Sequence, residues 1–172
     1  MKKQTYILFG LFAGFINIAG WFVLKALFQK ENTDFGLGEI LGYAVMLLAL
    51  STVFFGVKRY RDRQLNGKIT FVQALFNGLG IVLIASVIYV VGWEIYYPNF
   101  ASGFEEQYTT YIVNTMEAEG HSKDEIQAQK EEMAVWIEKY KSPFYRIPST
   151  FTEILPPGIL IALITALLLK KK

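Results

Sequence analysis

The sequence predicts an all-α membrane protein, a four-transmembrane-helix bundle with an extracytoplasmic helical hairpin inserted between helices 3 and 4. Three observations predict it. Four long windows, Gln4–Leu24, Ile40–Val57, Ile69–Trp93 and Ile154–Leu169, hold no charged residue, so the 17 Lys+Arg and 15 Asp+Glu crowd into the segments between them. A bilayer demands that segregation and a soluble core does not. Between the third and fourth windows run about sixty residues, too many for a plain connector and patterned as helix. A soluble domain is thereby excluded, and a chain with no cysteine has no disulfide framework. A formal net charge of +2 gives no reason to expect nucleic acid.

A hydrocarbon core about 30 Å thick takes about 20 apolar residues at 1.5 Å rise each, because every backbone N–H and C=O must be bonded internally. The first span covers residues 4–28. Lys2 and Lys3 precede it as they would a secretory signal, but no A-x-A-like cleavage pattern follows and Asn17, Gly20 and Trp21 continue into Phe28. An uncleaved helix is the reading. The second and third spans, 40–57 and 69–93, flank a basic loop, 58–68. The fourth span lies in 151–172, ahead of a lysine tail; its uncharged window is short, so its helix starts before Glu153 with Ser149 or Thr152 as N-cap. Pro156, Pro157 and Gly158 then fall in its first turns, where missing hydrogen bonds loosen the outer end.

Lysine and arginine placement sets orientation. With both termini cytoplasmic, that side holds Lys2, Lys3, Lys58, Arg59, Arg61, Arg63, Lys68 and Lys170–Lys172 against the single acid Asp62, a charge of +9 that faces −7 on the other side. The small total conceals a strong dipole.

The insert, 94–150, is acidic and reads as two helices. Phe104, Tyr108, Tyr111, Ile112 and Met116 recur at helical spacing up to a stop at Gly120. Ser122-Lys123-Asp124-Glu125 is a capping box opening the next helix, whose inner face is Ile126, Met133, Trp136, Ile137 and Tyr140, with Pro143 closing it. The expectation is an antiparallel hairpin on the outer mouth of the bundle. Its aromatic stripes pack as its core; a docking or ligand groove is the alternative. Tyr96, Tyr97 and Pro98, just after Trp93, read as an interfacial aromatic belt.

Lys58-Arg59-Tyr60-Arg61-Asp62, then Gly67-Lys68-Ile69-Thr70-Phe71, Ala74 and Gly78, followed by a long acidic insert, Thr152-Glu153-Ile154-Leu155-Pro156-Pro157-Gly158 and a lysine tail, resemble an uncharacterised bacterial membrane family, domain of unknown function four-one-nine-nine. The resemblance covers nearly the whole chain. It implies a four-helix protein of the bacterial inner membrane and carries no activity, substrate or catalytic residue.

Candidate functional residues fall in two groups. Glu39, Glu94 and Glu153 each lie at the outer end of a different span, with Lys25 at the same level. Ionisable groups there are costly unless they pair, reach water or bind something. They form either a structural Lys25–carboxylate arrangement or a cation or proton site, with Glu153 favoured because the following Pro-Pro-Gly frees backbone carbonyls. Lys58, Arg59, Arg61, Arg63 and Lys68 are candidate anionic-lipid contacts, beyond their role in topology. Asn17, Ser51, Thr52, Gln73, Asn77, Ser86 and Thr165 are explained by interhelical hydrogen bonds. Gly10/Gly14 and Gly38/Gly42 allow close helix approach, within the bundle or in a homodimer. His121 is a solvated turn residue, and no nucleophile, metal-ligand or nucleotide motif occurs, so no cofactor and no enzyme are expected. The functional expectation is a non-catalytic inner-membrane protein acting through protein or lipid contacts. A small transport or ion-handling component using the outer carboxylates is the alternative.

Overall fold

Leucine, isoleucine, valine and phenylalanine leave four stretches that satisfy their backbone only as helices. In a computed structural model that describes residues 4–28, 35–101 and 103–171, four helical stretches are long and apolar enough to cross a membrane: Thr5–Leu27, Phe35–Gln64, Phe71–Phe100 and Pro143–Leu169. The elements in order are α1 (Gln4–Phe28), α2 (Phe35–Leu50), α3 (Thr52–Gln64), α4 (Phe71–Phe100), α5 (Phe104–Ala118), α6 (Lys123–Tyr140) and α7 (Pro143–Leu169). The described residues contain no strand, only an isolated bridge between Ile69 and Lys171. Lys2, Lys3 and Lys172, which entered the orientation count, lie outside the described residues.

The chain divides into two units, Met1–Gly92 with Thr150–Lys172, and Trp93–Ser149. In the first, α1, α3, α4 and α7 share a core of Val53, Val57, Ala74, Ile81, Val82, Ala162 and Ala166, against which Tyr6 and Phe9 pack. A second cluster joins Met46 and Leu50 of α2 to Tyr89, Ile154 and Trp21. Large apolar side chains also cover the outside, among them Leu8, Phe12, Phe15, Phe76, Leu83, Leu160 and Leu168. Patches of that extent are what lipid-facing helices present.

Glycine sets how closely these helices approach. A Cβ on Gly10 would lie 2.6 Å from Ile84 Cβ, and one on Gly14 2.5 Å from Ile88 Cγ2, so α4 fills the Gly10/Gly14 face from within the chain. At Gly38 and Gly42 nothing among the described residues lies within 4 Å.

Several boundaries differ from the sequence expectation. Residues 58–64 are the last turns of α3 and not a loop: Lys, Arg and Gln are good helix formers, and cations favour a helix C-terminus. The connection is only Leu65–Thr70, with Asn66 (φ 52°) and Gly67 (φ 82°) in the left-handed region. Thr70 opens α4 with a capping box, its hydroxyl accepting from Gln73 N–H at 3.2 Å and Gln73 Oε1 accepting from Thr70 N–H at 3.1 Å. Between α2 and α3, Ser51 and Thr52 hydroxyls donate to the Leu48 and Ala49 carbonyls at 2.6 and 2.7 Å, back-bonding of a kind that bends helices. α7 begins at Pro143. Proline suits the first helical position, where its missing N–H costs nothing, so Pro143 opens α7 right after α6 ends. Pro156, Pro157 and Gly158 consequently sit well inside the helix and not in its first turns.

The polar residues within the spans bond differently from expectation as well. Asn17, Asn77 and Ser86 side chains donate to the carbonyls of Ala13, Gln73 and Val82, each four residues back on the same helix. No buried side-chain nitrogen or oxygen among the described residues lacks a partner.

In the second unit α5 and α6 pack on each other. α5 stops as the sequence expects: Gly120 has φ 82°, with Gly120 N–H bonded to Glu117 C=O and His121 N–H to Met116 C=O, a Schellman ending. The expected capping box at α6 is present, Glu125 N–H to Ser122 Oγ at 3.3 Å and Ser122 N–H to Glu125 Oε2 at 2.8 Å. The Ser122 amide bonded to its carboxylate holds Glu125 below the usual carboxylate range. His121 is exposed beside Glu119 and Glu125. Ile126 and Met133 are buried on α6, but on α5 the buried residue is Val113, outside the stripe read from sequence.

The glycine contacts predict opposite outcomes for equal changes. Gly14→Val should lower the stability of the detergent-solubilised protein by about 1–3 kcal/mol, the cost of overpacking. Gly42→Val should leave its thermal midpoint unchanged, and equal losses in the two variants would contradict the packing described.

Candidate functional site

The four outer-end candidates are divided between the two units. Glu153 and Glu39 belong to the first unit. Tyr89 on α4 donates its hydroxyl to Glu153 Oε1 at 3.1 Å, and the buried Tyr89 ring lies 4.9 Å from that of Trp21. Glu39 is the next charge: it interacts electrostatically with Glu153, and both act on Tyr43. Two carboxylates and two phenols are thereby brought together from α2, α4 and α7. Lys25 is half-buried in the last turn of α1. Among the described residues no group of three or more His, Asp or Glu is placed to hold a metal ion.

Glu94 belongs to the second unit and has a different partner. Arg146, near the start of α7, grips it with two parallel bonds, Nε to Oε1 at 2.8 Å and Nη2 to Oε2 at 2.6 Å. Bidentate pairing of this kind is the strong form of an ion pair. The same guanidinium donates through Nη1 to the Tyr140 and Lys141 carbonyls at 3.0 and 3.1 Å, capping the C-terminus of α6. It also lies 4.6 Å from the centre of the Tyr97 ring, a cation–π distance. Its side chain is only 6% exposed.

Aromatic rings enclose this pair. Trp93 Nε1 donates to the Tyr140 hydroxyl at 2.9 Å, Tyr97 meets Tyr140 edge-on at 5.4 Å, and Trp136 stacks on Tyr140 at 4.7 Å. The Tyr97 hydroxyl donates to Glu105. Tyr96, buried, stacks between Trp93 and Phe100. Trp93, Tyr96 and Tyr97 thus stack on one another beside the charge pair, with Tyr96 buried and the other two half-buried.

The cations of α3 are sorted by helix face. Arg61 turns inward, with Nε donating to Asp62 Oδ1 at 2.7 Å and Nη1 to the Leu169 carbonyl at 3.5 Å. Lys58, Arg59 and Arg63 are exposed, and Lys68 lies on the connection beyond. Next to it, Ile69 and Lys171 exchange backbone bonds at 3.0 and 2.9 Å, which ties the C-terminal tail to this end. Gln64 Nε2 donates to Thr5 Oγ1 at 2.9 Å, which ties α1 there too.

A family model described as Protein of unknown function (DUF4199) matches residues 8–171, nearly the whole chain. The chain belongs to that family. No curated protein and no solved structure matches it. Membership in DUF4199 assigns no chemistry, so the site rests on the geometry above.

Sequence reasoning missed Arg146, which binds Glu94 and two carbonyls at once in this DUF4199 chain's second unit. A signal was present: it is the only arginine outside positions 59–63, set in an acidic segment between two prolines. Its partner could not be read, because fifty-two positions separate Glu94 from Arg146.

Breaking this pair should be costly. Glu94→Gln or Arg146→Met alone should each destabilise the protein by about 3–5 kcal/mol, since one strands a buried charge and the other removes the cap of α6. Glu94→Leu with Arg146→Met should be less damaging than the sum of the two single changes, as measured by thermal unfolding in detergent. Simple additivity would mean the two side chains do not act as a pair.

Proposed function

We propose that the protein is a non-catalytic, multi-pass protein of a bacterial inner membrane, with both termini cytoplasmic and residues 94–150 outside as an acidic helical hairpin that docks a protein partner. The observation that carries the reading is the apolar surface of this acidic segment. Phe144 is 94% exposed, and Val135 and Trp136 are more than a third exposed. Large apolar side chains left exposed in a polar, acidic segment are the kind of surface that binds. The orientation is supported by the bonds joining Thr5 to Gln64 and Ile69 to Lys171, which gather the start of α1, the end of α3, the start of α4 and the end of α7. An even number of crossings brings those ends to one side, where the cations also collect.

A second reading is favoured by one observation, the Glu153–Tyr89 bond with Glu39 close by. In that reading the protein handles a cation or proton at this end of the bundle. Pro156 and Pro157 donate no N–H to the helix, which softens the backbone next to Glu153. A homodimer would use Gly38/Gly42, since α4 already fills Gly10/Gly14.

Co-purification from the native membrane separates the readings. Phe144→Ser, and deletion of 101–141, should each lose a protein that co-purifies with the intact chain, while Glu153→Gln keeps it. Loss of an ion-dependent phenotype in Glu153→Gln alone, with the partner retained, would favour the second reading over the first.

Orientation has its own test in this cysteine-free chain. A cysteine replacing Asn66 should be shielded from an impermeant thiol reagent in intact cells, and one replacing Lys130 should react. The reverse pattern would invert the topology.

A further inference from the structure

Phe9 of α1 and Phe55, Lys58, Arg59, Asp62 and Arg63 of α3 line an open groove of about 310 Å³. The α3 residues follow one another at three- and four-residue steps and so share one face of the helix. That face is graded. Phe55, 57% exposed, begins it within an apolar span, and three exposed cations finish it at the span's end. Among the described residues no ion pair uses Lys58, Arg59 or Arg63; the one carboxylate among them, Asp62, is held by Arg61 from its Oδ1 side. Three cations therefore face the groove against one carboxylate, Asp62, which is already paired with Arg61, so the groove keeps an excess of positive charge.

An occupant must be anionic at one end and apolar at the other. Guanidinium groups match phosphate oxygens in a fixed fork, and phenyl rings suit an acyl chain. The groove volume is at the lower end of ligand sites, which fits a headgroup with its chains lying outside along Phe9 and Phe55. Asp62, next to the cations, offers an acceptor for a headgroup hydroxyl. We propose that this groove binds one anionic phospholipid of the phosphatidylglycerol type, with its phosphate on Arg59, Arg63 and Lys58 and its glycerol hydroxyls toward Asp62. The proposal needs only a membrane location and does not depend on a protein partner.

The full-length protein in neutral detergent can be titrated in separate arms with dioleoyl phosphatidylglycerol, dioleoyl phosphatidylcholine and inorganic phosphate, with bound molecules counted by native mass spectrometry. One phosphatidylglycerol should be retained, and neither of the others. Arg59→Gln with Arg63→Gln should weaken its binding about thirty-fold, from the free energy two surface cations contribute. Lys68→Gln with Lys170→Gln removes equal charge outside the groove and should change binding less than about three-fold. All the substituted side chains are exposed, and the unfolding midpoint without lipid checks that each variant is folded; should the arginine pair fail to fold, Lys58→Gln read in the same way decides. Equal retention of phosphatidylcholine, phosphate binding as tight as the lipid, or equal loss in the two double variants would each overturn the proposal.

Discussion

Hydrocarbon offers no hydrogen bonds, and most of this fold follows from that. Four segments become helices because each backbone group must find a partner inside its own segment. Polar side chains obey the same constraint. Asn17, Asn77 and Ser86 donate to the carbonyl one turn back, so these donors are met within their own helices. Shape then governs approach: the glycines of α1 receive Ile84 and Ile88, and Gly158 receives Val82. Lipid-soluble helices gain little from apolar burial against one another, and close van der Waals contact supplies what the hydrophobic effect supplies in water.

Helix ends pose the opposite problem, since their last carbonyls have no N–H to meet. Two arginines answer it in the same way. Arg146 reaches back from the first turn of α7 to the Tyr140 and Lys141 carbonyls at the end of α6. Arg61 reaches the Leu169 carbonyl at the end of α7. Each also binds a carboxylate, Glu94 or Asp62. Lysine could neutralise those acids, but only a planar group with five donors can pair with one and cap carbonyls too. This accounts for arginine at both positions in a chain whose other basic residues are mostly lysine.

How far the sequence could be read follows the range of each interaction. The spans were legible because a twenty-residue apolar window needs no partner to be recognised. The Gly120 stop and the Ser122–Glu125 box were legible because both are complete within a few residues. The Thr70–Gln73 box is equally local, but it sits between a basic stretch and an apolar one that each draw the reading to themselves. Pro143 is ambiguous in sequence: proline is compatible with either the end of one helix or the first turn of the next, and only the two-residue connection after Tyr140 distinguishes them. The grouping of Glu153 with Glu39, and of Glu94 with Arg146, depends on helices meeting in three dimensions. Glu94 and Glu153, alike in sequence as span-end acids, consequently received different partners.

The basic stretch carries the most consequence. Read as a loop, its cations are a count that orients the chain, and any order of them would serve. As the end of α3 they acquire directions: at a helical period Arg61 turns inward to Asp62 and the Leu169 carbonyl, while Lys58, Arg59 and Arg63 turn outward beside Phe55. Exchanging Arg61 with a neighbour would keep the net charge and the topology signal but would leave the end of α7 uncapped and the outward face one cation different. The positive charge at this end is thus divided between holding two helix ends together and presenting a patterned surface, and helix geometry sets the division.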